Sequence, residues 1–394
     1  MEMEMTMRQA TPPAPPSPEP RTGAPGTALR ALLRRLRGDP APPPIGVDFA
    51  GERLNLLQMS GAPGGAQVRA AASLTYPMPR ERLFDAPPAL ARFVRASLAS
   101  APFAGRRVYC ALPPGLVRIV PLTLQLTPGQ SEAQLVAKAA REQLGIVMDE
   151  SVLDYYPVRS IDGDASERHL LLAVARQAQV MAYLTLLSNA GLEPVALDIG
   201  PAAIARLLAA IQRDDLGQSA LLINFGLCKS FLTVIWGRRL MLDREIDFGE
   251  GQLGAKLASA LALAPGMAVA LMREHGFGAR LPGLGARDAA QPDAGRTIGD
   301  ILHPEFAALA EELARTQVYV ASRTRGRAVS RVYLNGSLAR YPNIRQRISD
   351  LVTLPVELLN PFDGFAAPRI ARPPGLEQSI ALAAGLALRG GAGG

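Results

Sequence analysis

Two residues able to hold a metal-bound phosphate stand at matching places in two copies of one pattern. The copies are Ile45-Gly46-Val47-Asp48-Phe49-Ala50-Gly51-Glu52-Arg53 and, aligned without a gap, Leu221-Leu222-Ile223-Asn224-Phe225-Gly226-Leu227-Cys228-Lys229. In each, an apolar run ends in Asp48 or Asn224, passes an aromatic residue and a short turn, and returns as a second β-rich run. A carboxylate or amide at a strand end can accept from Mg2+-bound waters, while backbone N–H groups of the turn take phosphate. Two such hairpins imply two similar lobes, with the candidate site in the cleft between them.

A third segment, Arg331-Val332-Tyr333-Leu334-Asn335-Gly336-Ser337-Leu338-Ala339-Arg340, reads as a buried strand, a glycine turn and the start of a helix continuing through Arg347. The three segments, in this order, resemble the phosphate and adenosine motifs of the actin-like ATPase superfamily. Within it the chain is most similar to the PilM family of type IV pilus assembly, over roughly residues 45 to 390. Asp198-Ile199-Gly200-Pro201, Asp247-Phe248-Gly249-Glu250-Gly251-Gln252-Leu253 and Gly385-Leu386-Ala387-Leu388-Arg389 follow the same collinear order. The resemblance implies an α/β, actin-like (ribonuclease H-like) fold of two lobes, the first over 45–215 and the second over 216–390. A small α+β subdomain, about 107–176, is expected as an insert in the first lobe. The resemblance also implies ATP and Mg2+ in the cleft. The implied partner is the N-terminal tail of a PilN-type inner-membrane protein, held in a groove between first lobe and insert, alongside other proteins of the pilus platform.

In a working ATPase of that superfamily, two strand-end acids hold the Mg2+ waters and orient the attacking water, and hydroxyls and glycines in the turns take the phosphates. Here Asp48 is the expected metal and phosphate residue, but its counterpart is Asn224, which accepts hydrogen bonds without bringing charge or acting as a base. The first turn has Gly51 but no Ser or Thr, and Glu52 adds an acid that repels phosphate; Lys229 and Ser230 in the second turn compensate in part. Gly226, Gly249, Gly251, Gly336 and Ser337 complete the expected nucleotide-binding set, the last placing a Cβ where the family has a second glycine. Asp198 either orients water, as the candidate catalytic residue, or caps the helix beginning near Pro201. Glu250 is either a phosphate-side residue or a solvated turn residue. The expectation is nucleotide binding, or none, with at most weak turnover.

Composition bounds the rest. With 394 residues, 48% of them hydrophobic, the chain is long enough for more than one core. Cys110 falls in an expected strand and Cys228 in a turn, so no disulfide framework is implied, and His169, His275 and His303 lack ligand spacing. The net charge of +7 is concentrated near Arg30–Arg37 and Arg323–Arg331, and aromatic residues are only 5% without interleaving, so nucleic-acid binding is not expected. No secretory leader is expected, since Pro, Glu and Thr dominate the first 25 residues. The longest apolar stretch, Leu257 to Met272, contains Pro265 and Gly266 and falls short of the ~20 residues a bilayer requires. A cytoplasmic protein at the inner face of the inner membrane is the expectation.

Residues 1–44 read as a Pro-rich disordered leader with a short basic amphipathic helix at 28–37, which either rests on anionic lipid or packs on the body. Further on, helices are expected over Leu90–Ser97, Ser131–Leu144 (with Gln134 completing a capping box), Gln179–Asn189, Gln252–Leu263 and Glu305–Arg325. Residues 278–299 read as a mobile surface loop. A small-molecule kinase of the same superfamily needs intact phosphate turns and an acidic base, and a cell-division tether of the FtsA type carries its membrane helix at the other end of the chain. The scaffold reading accounts for the insert best.

Overall fold

The first repeated segment folds into an antiparallel hairpin, β1 (Ile45–Phe49) and β2 (Arg53–Ser60), with Asp48 opposite Asn55. The computed structural model describes residues 41–60, 67–126, 129, 131–158, 167–212, 219–236, 239–278, 294–367 and 370–390, and the chain from Pro43 onward forms one compact unit. The expected leader and the helix at 28–37 lie outside the described residues. β3 (Gln67–Thr75) pairs antiparallel with β2, and β4 (Arg107–Ala111) runs parallel to β1 on its other side.

A separate antiparallel sheet follows, of β5 (Val117–Gln125), β6 (Ser151–Pro157) and β7 (Glu167–Arg176) in the order β5-β7-β6. The expected insert boundary near 107 falls on β4, which belongs to the first sheet; the separate sheet begins at Val117. Its helix, Glu132–Leu144, opens with the anticipated capping box. Ser131 Oγ accepts from the Gln134 amide at 3.3 Å, and Gln134 Oε1 accepts from the Ser131 amide at 3.0 Å. Leu135, Val136 and Ala140 on that helix pack against Leu122, Leu124, Leu170 and Leu172, giving the insert its own core. The helix Gln177–Asn189 then leads to β8 (Glu193–Asp198), parallel to β4, which completes a first sheet of order β3-β2-β1-β4-β8.

The second repeated segment does the same. β9 (Ser219–Phe225), β10 (Ser230–Trp236), β11 (Arg239–Ile246), β12 (Arg331–Gly336) and β13 (Val356–Leu358) form a sheet of order β11-β10-β9-β12-β13. The strand directions match the first sheet pair for pair: two antiparallel pairings, then two parallel ones. β1 and β9 are central in their sheets and buried on both faces, which is why both read as near-continuous apolar runs.

Two helices of small residues, Gly200–Ile211 and Ala381–Ala387, pack on each other between the sheets. One apolar core spans both lobes there, with Leu57 of β2, Leu207 and Leu208, Leu222 of β9 and Ala383 in contact. The approach is close enough to demand glycine: a Cβ at Gly46 would lie 2.0 Å from the Ala383 carbonyl oxygen, and one at Gly385 2.0 Å from that of Ala203.

Two expectations are corrected. Residues 294–299 of the expected surface loop belong to a helix, Ala294–Ile301, whose Ile298 is 2% exposed in the second core; 279–293 lie outside the described residues. The spacing of Ile298, Ile301 and Leu302 is helical, and the neighbouring Gly and Asp obscured it. The helix expected to run through Arg347 is broken, because Pro342 supplies no N–H and Asn343 is left-handed at φ 62; only Ile344–Ser349 is α-helical there. The apolar stretch Leu257–Met272 divides between helices Glu250–Leu261 and Pro265–His275, bent by 106°, and Leu257, Ala268 and Met272 are buried in the second core. Among the described residues no single helix is long and apolar enough to cross a membrane.

Candidate functional site

Asp48 and Asn224 take equivalent places near the ends of β1 and β9, as the repeat predicts. Asp48 Oδ2 accepts from Asn55 Nδ2 at 2.9 Å; Asn55 Oδ1 accepts from Ser73 Oγ at 2.7 Å, and Ser73 Oγ in turn accepts from Arg53 Nε at 2.7 Å. Burial pushes the Asp48 carboxyl from 3.8 up to about 6, against the opposing pull of the Asn55 hydrogen bond and the Arg80 charge. Arg80 and Tyr76 secure the turn that follows, donating to the carbonyls of Phe49 at 3.2 Å and Ala50 at 3.1 Å. On β11 a second acid behaves alike: Asp243, which accepts from Thr233 Oγ1 at 2.6 Å, is pushed by burial to about 7.

The sign of this effect is fixed. An acid whose folded pKa lies above its unfolded value favours the fold at low pH, and that contribution is lost as pH rises from about 4 through 6 for Asp48 and through 7 for Asp243. Asp243→Asn, which keeps an acceptor for Thr233, is therefore expected to raise the chemical-denaturation free energy at pH 8 by at most about 4 kcal/mol, and to leave it unchanged near pH 4. Urea unfolding at the two pH values measures this directly.

Asn224 Oδ1 accepts from Asn335 Nδ2 at 3.0 Å, joining the ends of β9 and β12. Gly336 has φ 92 and lies so close to β9 that a Cβ would meet the Phe225 carbonyl oxygen at 2.1 Å, so its glycine is required by strand packing. Ser337 Oγ donates to the Gly226 carbonyl at 3.2 Å.

In the second turn the expected phosphate donors serve the protein itself. Ser230 is fully buried; its hydroxyl accepts from the Gly226 amide at 3.4 Å and donates to the Phe248 carbonyl. Lys229 is drawn to the β11 side, bonded to Asp247 with Glu245 at 3.6 Å. At the start of the helix Glu250–Leu261, the amides of Glu250 and Gly251 donate to the carbonyls of Gly226 and Leu227 at 3.1 and 2.7 Å. Gly249 bridges Gly226 in the same contact. The two turns also lie close, since a Cβ at Gly51 would come 3.7 Å from Leu227 Cβ.

Across this contact runs an ion cluster that sequence reasoning missed. Arg273, on the helix Pro265–His275 of the second lobe, donates through Nη2 to both oxygens of Glu52 in the first lobe, at 2.8 and 3.1 Å. The same nitrogen lies 2.9 Å from Glu250 Oε1, which also accepts from Tyr341 Oη. Arg340 Nη2 stands 4.0 Å from Glu52. Glu250 is thus not a solvated turn residue: it is 1% exposed, and among the described residues its Oε2 has no hydrogen-bond partner. Glu52 and Arg273 are 221 positions apart, so no local pattern announces the pair.

Asp198 is committed as well. Its Oδ1 accepts from the Ile199 amide at 2.8 Å and from Tyr156 of the insert at 3.2 Å, and its Oδ2 takes Arg206 and Arg389 at 2.9 Å each. The helix that follows has Ile199 at its N-cap, and the carboxylate ties insert, crossing helix and C-terminal segment together.

With Glu52 bonded to Arg273 across the lobes and these donors bonded internally, the residues as arranged do not fit a Mg2+-bound triphosphate.

The model of the family described as "Type IV pilus assembly protein PilM" matches residues 46–282 and 286–391, which take in both sheets and the insert. The chain belongs to the PilM family. Its fold is shared with the solved PilM-PilN type IV pilus biogenesis complex, with a TM-score of 0.70 at 23% identity, covering 90% of this chain and 100% of that one. The ethanolamine utilization protein EutJ of Carboxydothermus hydrogenoformans is similar at TM-score 0.47 and 14% identity, covering 89% and 90%. MreB 5 of Spiroplasma citri bound to AMPPNP is similar at 0.44 and 13%, covering 81% and 92%. No curated protein sequence matches the chain. The PilM family member described here thus has the fold of that complex, in the two lobes that its repeated hairpins predict, with a three-stranded insert after β4.

Proposed function

We propose that this chain is a cytoplasmic scaffold of the inner-membrane platform that assembles type IV pili or a related apparatus, and that it binds the N-terminal tail of a PilN-type membrane protein. The observation that carries this reading is the family match across both lobes and the insert together.

The tail is assigned to the groove between insert and first lobe. What supports the assignment is the alternation of β6. Leu153 and Tyr155 pack towards the insert's own helix, whereas Tyr156 on the opposite face reaches Asp198 of the first sheet. Val152 and Asp154 share that second face, and Val152 is 45% exposed. β6 and β8 are both edge strands, so an extended peptide can add main-chain hydrogen bonds there while a side chain rests on Val152. Nothing in this reading asks for turnover. Mg2+ and ATP, which the motif resemblance implies, enter only by parting the two turns.

In cells, Val152→Arg is expected to abolish surface pili, or secretion by the related apparatus, while the protein remains at its normal level. Wild-type assembly in that strain, scored by electron microscopy, overturns the placement of the tail. Normal assembly in a strain lacking the whole gene overturns the function.

A further inference from the structure

The cluster around Glu52 has the make-up of an anion site with its anion already supplied. Arg273 and Arg340 belong to the second lobe, and Glu52 reaches them from the first across the turns where a phosphate chain would have to lie. Arg53 stands behind Glu52, held by Ser73 and Thr75 at 2.7 Å. Burial, and then the charge of Arg340, hold Arg53 below its ordinary value; Arg273 adds to this and Glu52 opposes it, so these guanidiniums share one field. Arg273 and Arg340 face two carboxylates, Glu52 and Glu250. Glu250 is fixed in the second lobe by Tyr341 and Arg273, so only Glu52 can leave the cluster when the lobes part.

We propose that Glu52 is an internal anion occupying a seat built by Arg273 and Arg340, so that the lobes close without nucleotide and a phosphate chain enters only by displacing it. The seat differs from one built of glycine-turn amides and Mg2+, because its donors are guanidinium groups, which pair with phosphate oxygens as readily as with carboxylate. Glu52 and Arg273 are each more than a third exposed, so their pair is screened and weak enough to be exchanged. The chemistry recognised is the phosphate chain itself, whether free or part of a nucleotide. The inference does not depend on the peptide groove: its test leaves the insert untouched, and its failure leaves the tail assignment standing.

The full chain is titrated calorimetrically with tripolyphosphate and with ATP, each without Mg2+, as wild type, Glu52→Gln, and Glu52→Gln combined with Arg273→Gln. Removing the competing charge is expected to tighten tripolyphosphate binding by about tenfold or more, and ATP by a similar factor. The gain is expected to vanish in the double variant. Because Arg273→Gln leaves Glu250 without its cation, Glu52→Gln combined with Arg340→Gln is run beside it, with a thermal melt of each; most of the gain is expected to be lost there too. Unchanged tripolyphosphate affinity in Glu52→Gln overturns the proposal. So does a gain that survives both double variants, or one confined to ATP, which would place it in adenosine contacts.

Discussion

Asp198→Ala is expected to lower the unfolding free energy by about 3 kcal/mol or more, the range seen when one partner of a buried ion pair is removed. The carboxylate is wholly buried, and both Arg206 and Arg389 are bonded to it at 2.9 Å. Its loss leaves two guanidiniums crowded at one place and the Tyr156 hydroxyl without its acceptor. The figure stays near the low end because Arg389 is about a third exposed and Arg206 keeps a second bond, to the Gly385 carbonyl at 2.7 Å. Urea unfolding of the full chain checks this, with a lower midpoint at nearly constant slope as the expected result. Were Asp198 instead an acid that orients water, the variant would retain its midpoint and lose phosphate release.

Gly385→Val is expected to be at least as damaging, for a reason of space. The residue sits where the helices Gly200–Ile211 and Ala381–Ala387 cross, and a Cβ there would come within 2.0 Å of the Ala203 carbonyl oxygen and 2.5 Å of its carbon. Those are backbone atoms, so the helices must separate, opening the apolar core shared by the two lobes. Overpacking ordinarily costs about 1–3 kcal/mol, and more where backbone must move. The expected outcome is a protein that is aggregated, or that melts at least about 10 °C below wild type, in differential scanning calorimetry. Gly385→Ala tests the same contact with the smallest possible side chain and is expected to fall between the two.

The parts of the fold visible in the sequence were those governed by local chemistry. The hairpins at Asp48 and Asn224 announce themselves by apolar runs broken at matching places, and Ser131 with Gln134 marks the start of its helix by side-chain capping alone. Their duplicated sheet order then follows from the repeat. The site was legible only as a set of positions. The residue types at Lys229, Ser230, Gly249 and Gly251 fit phosphate binding, but a sequence does not reveal that Ser230 is buried on Phe248, or that the amides after Gly249 bond to the carbonyls of Gly226 and Leu227 in the second turn. Glu52 was legible as an acid in the wrong place for phosphate. What it contacts was not, because Arg273 arrives from another lobe. Pro342 and Asn343 mark the broken helix after Ser337 in the sequence itself, since proline supplies no N–H there, but the apolar residues on either side mask the break.

The central claim, a scaffold that holds its partner's tail without needing nucleotide, is tested most directly by titrating a synthetic PilN-type N-terminal tail into the full chain, with and without Mg2+ and ATP. The expected result is one-to-one saturation, with affinities in the two conditions agreeing within about twofold and weakened by about tenfold or more in Val152→Arg. Absence of saturation, or saturation only when Mg2+ and ATP are present, contradicts it.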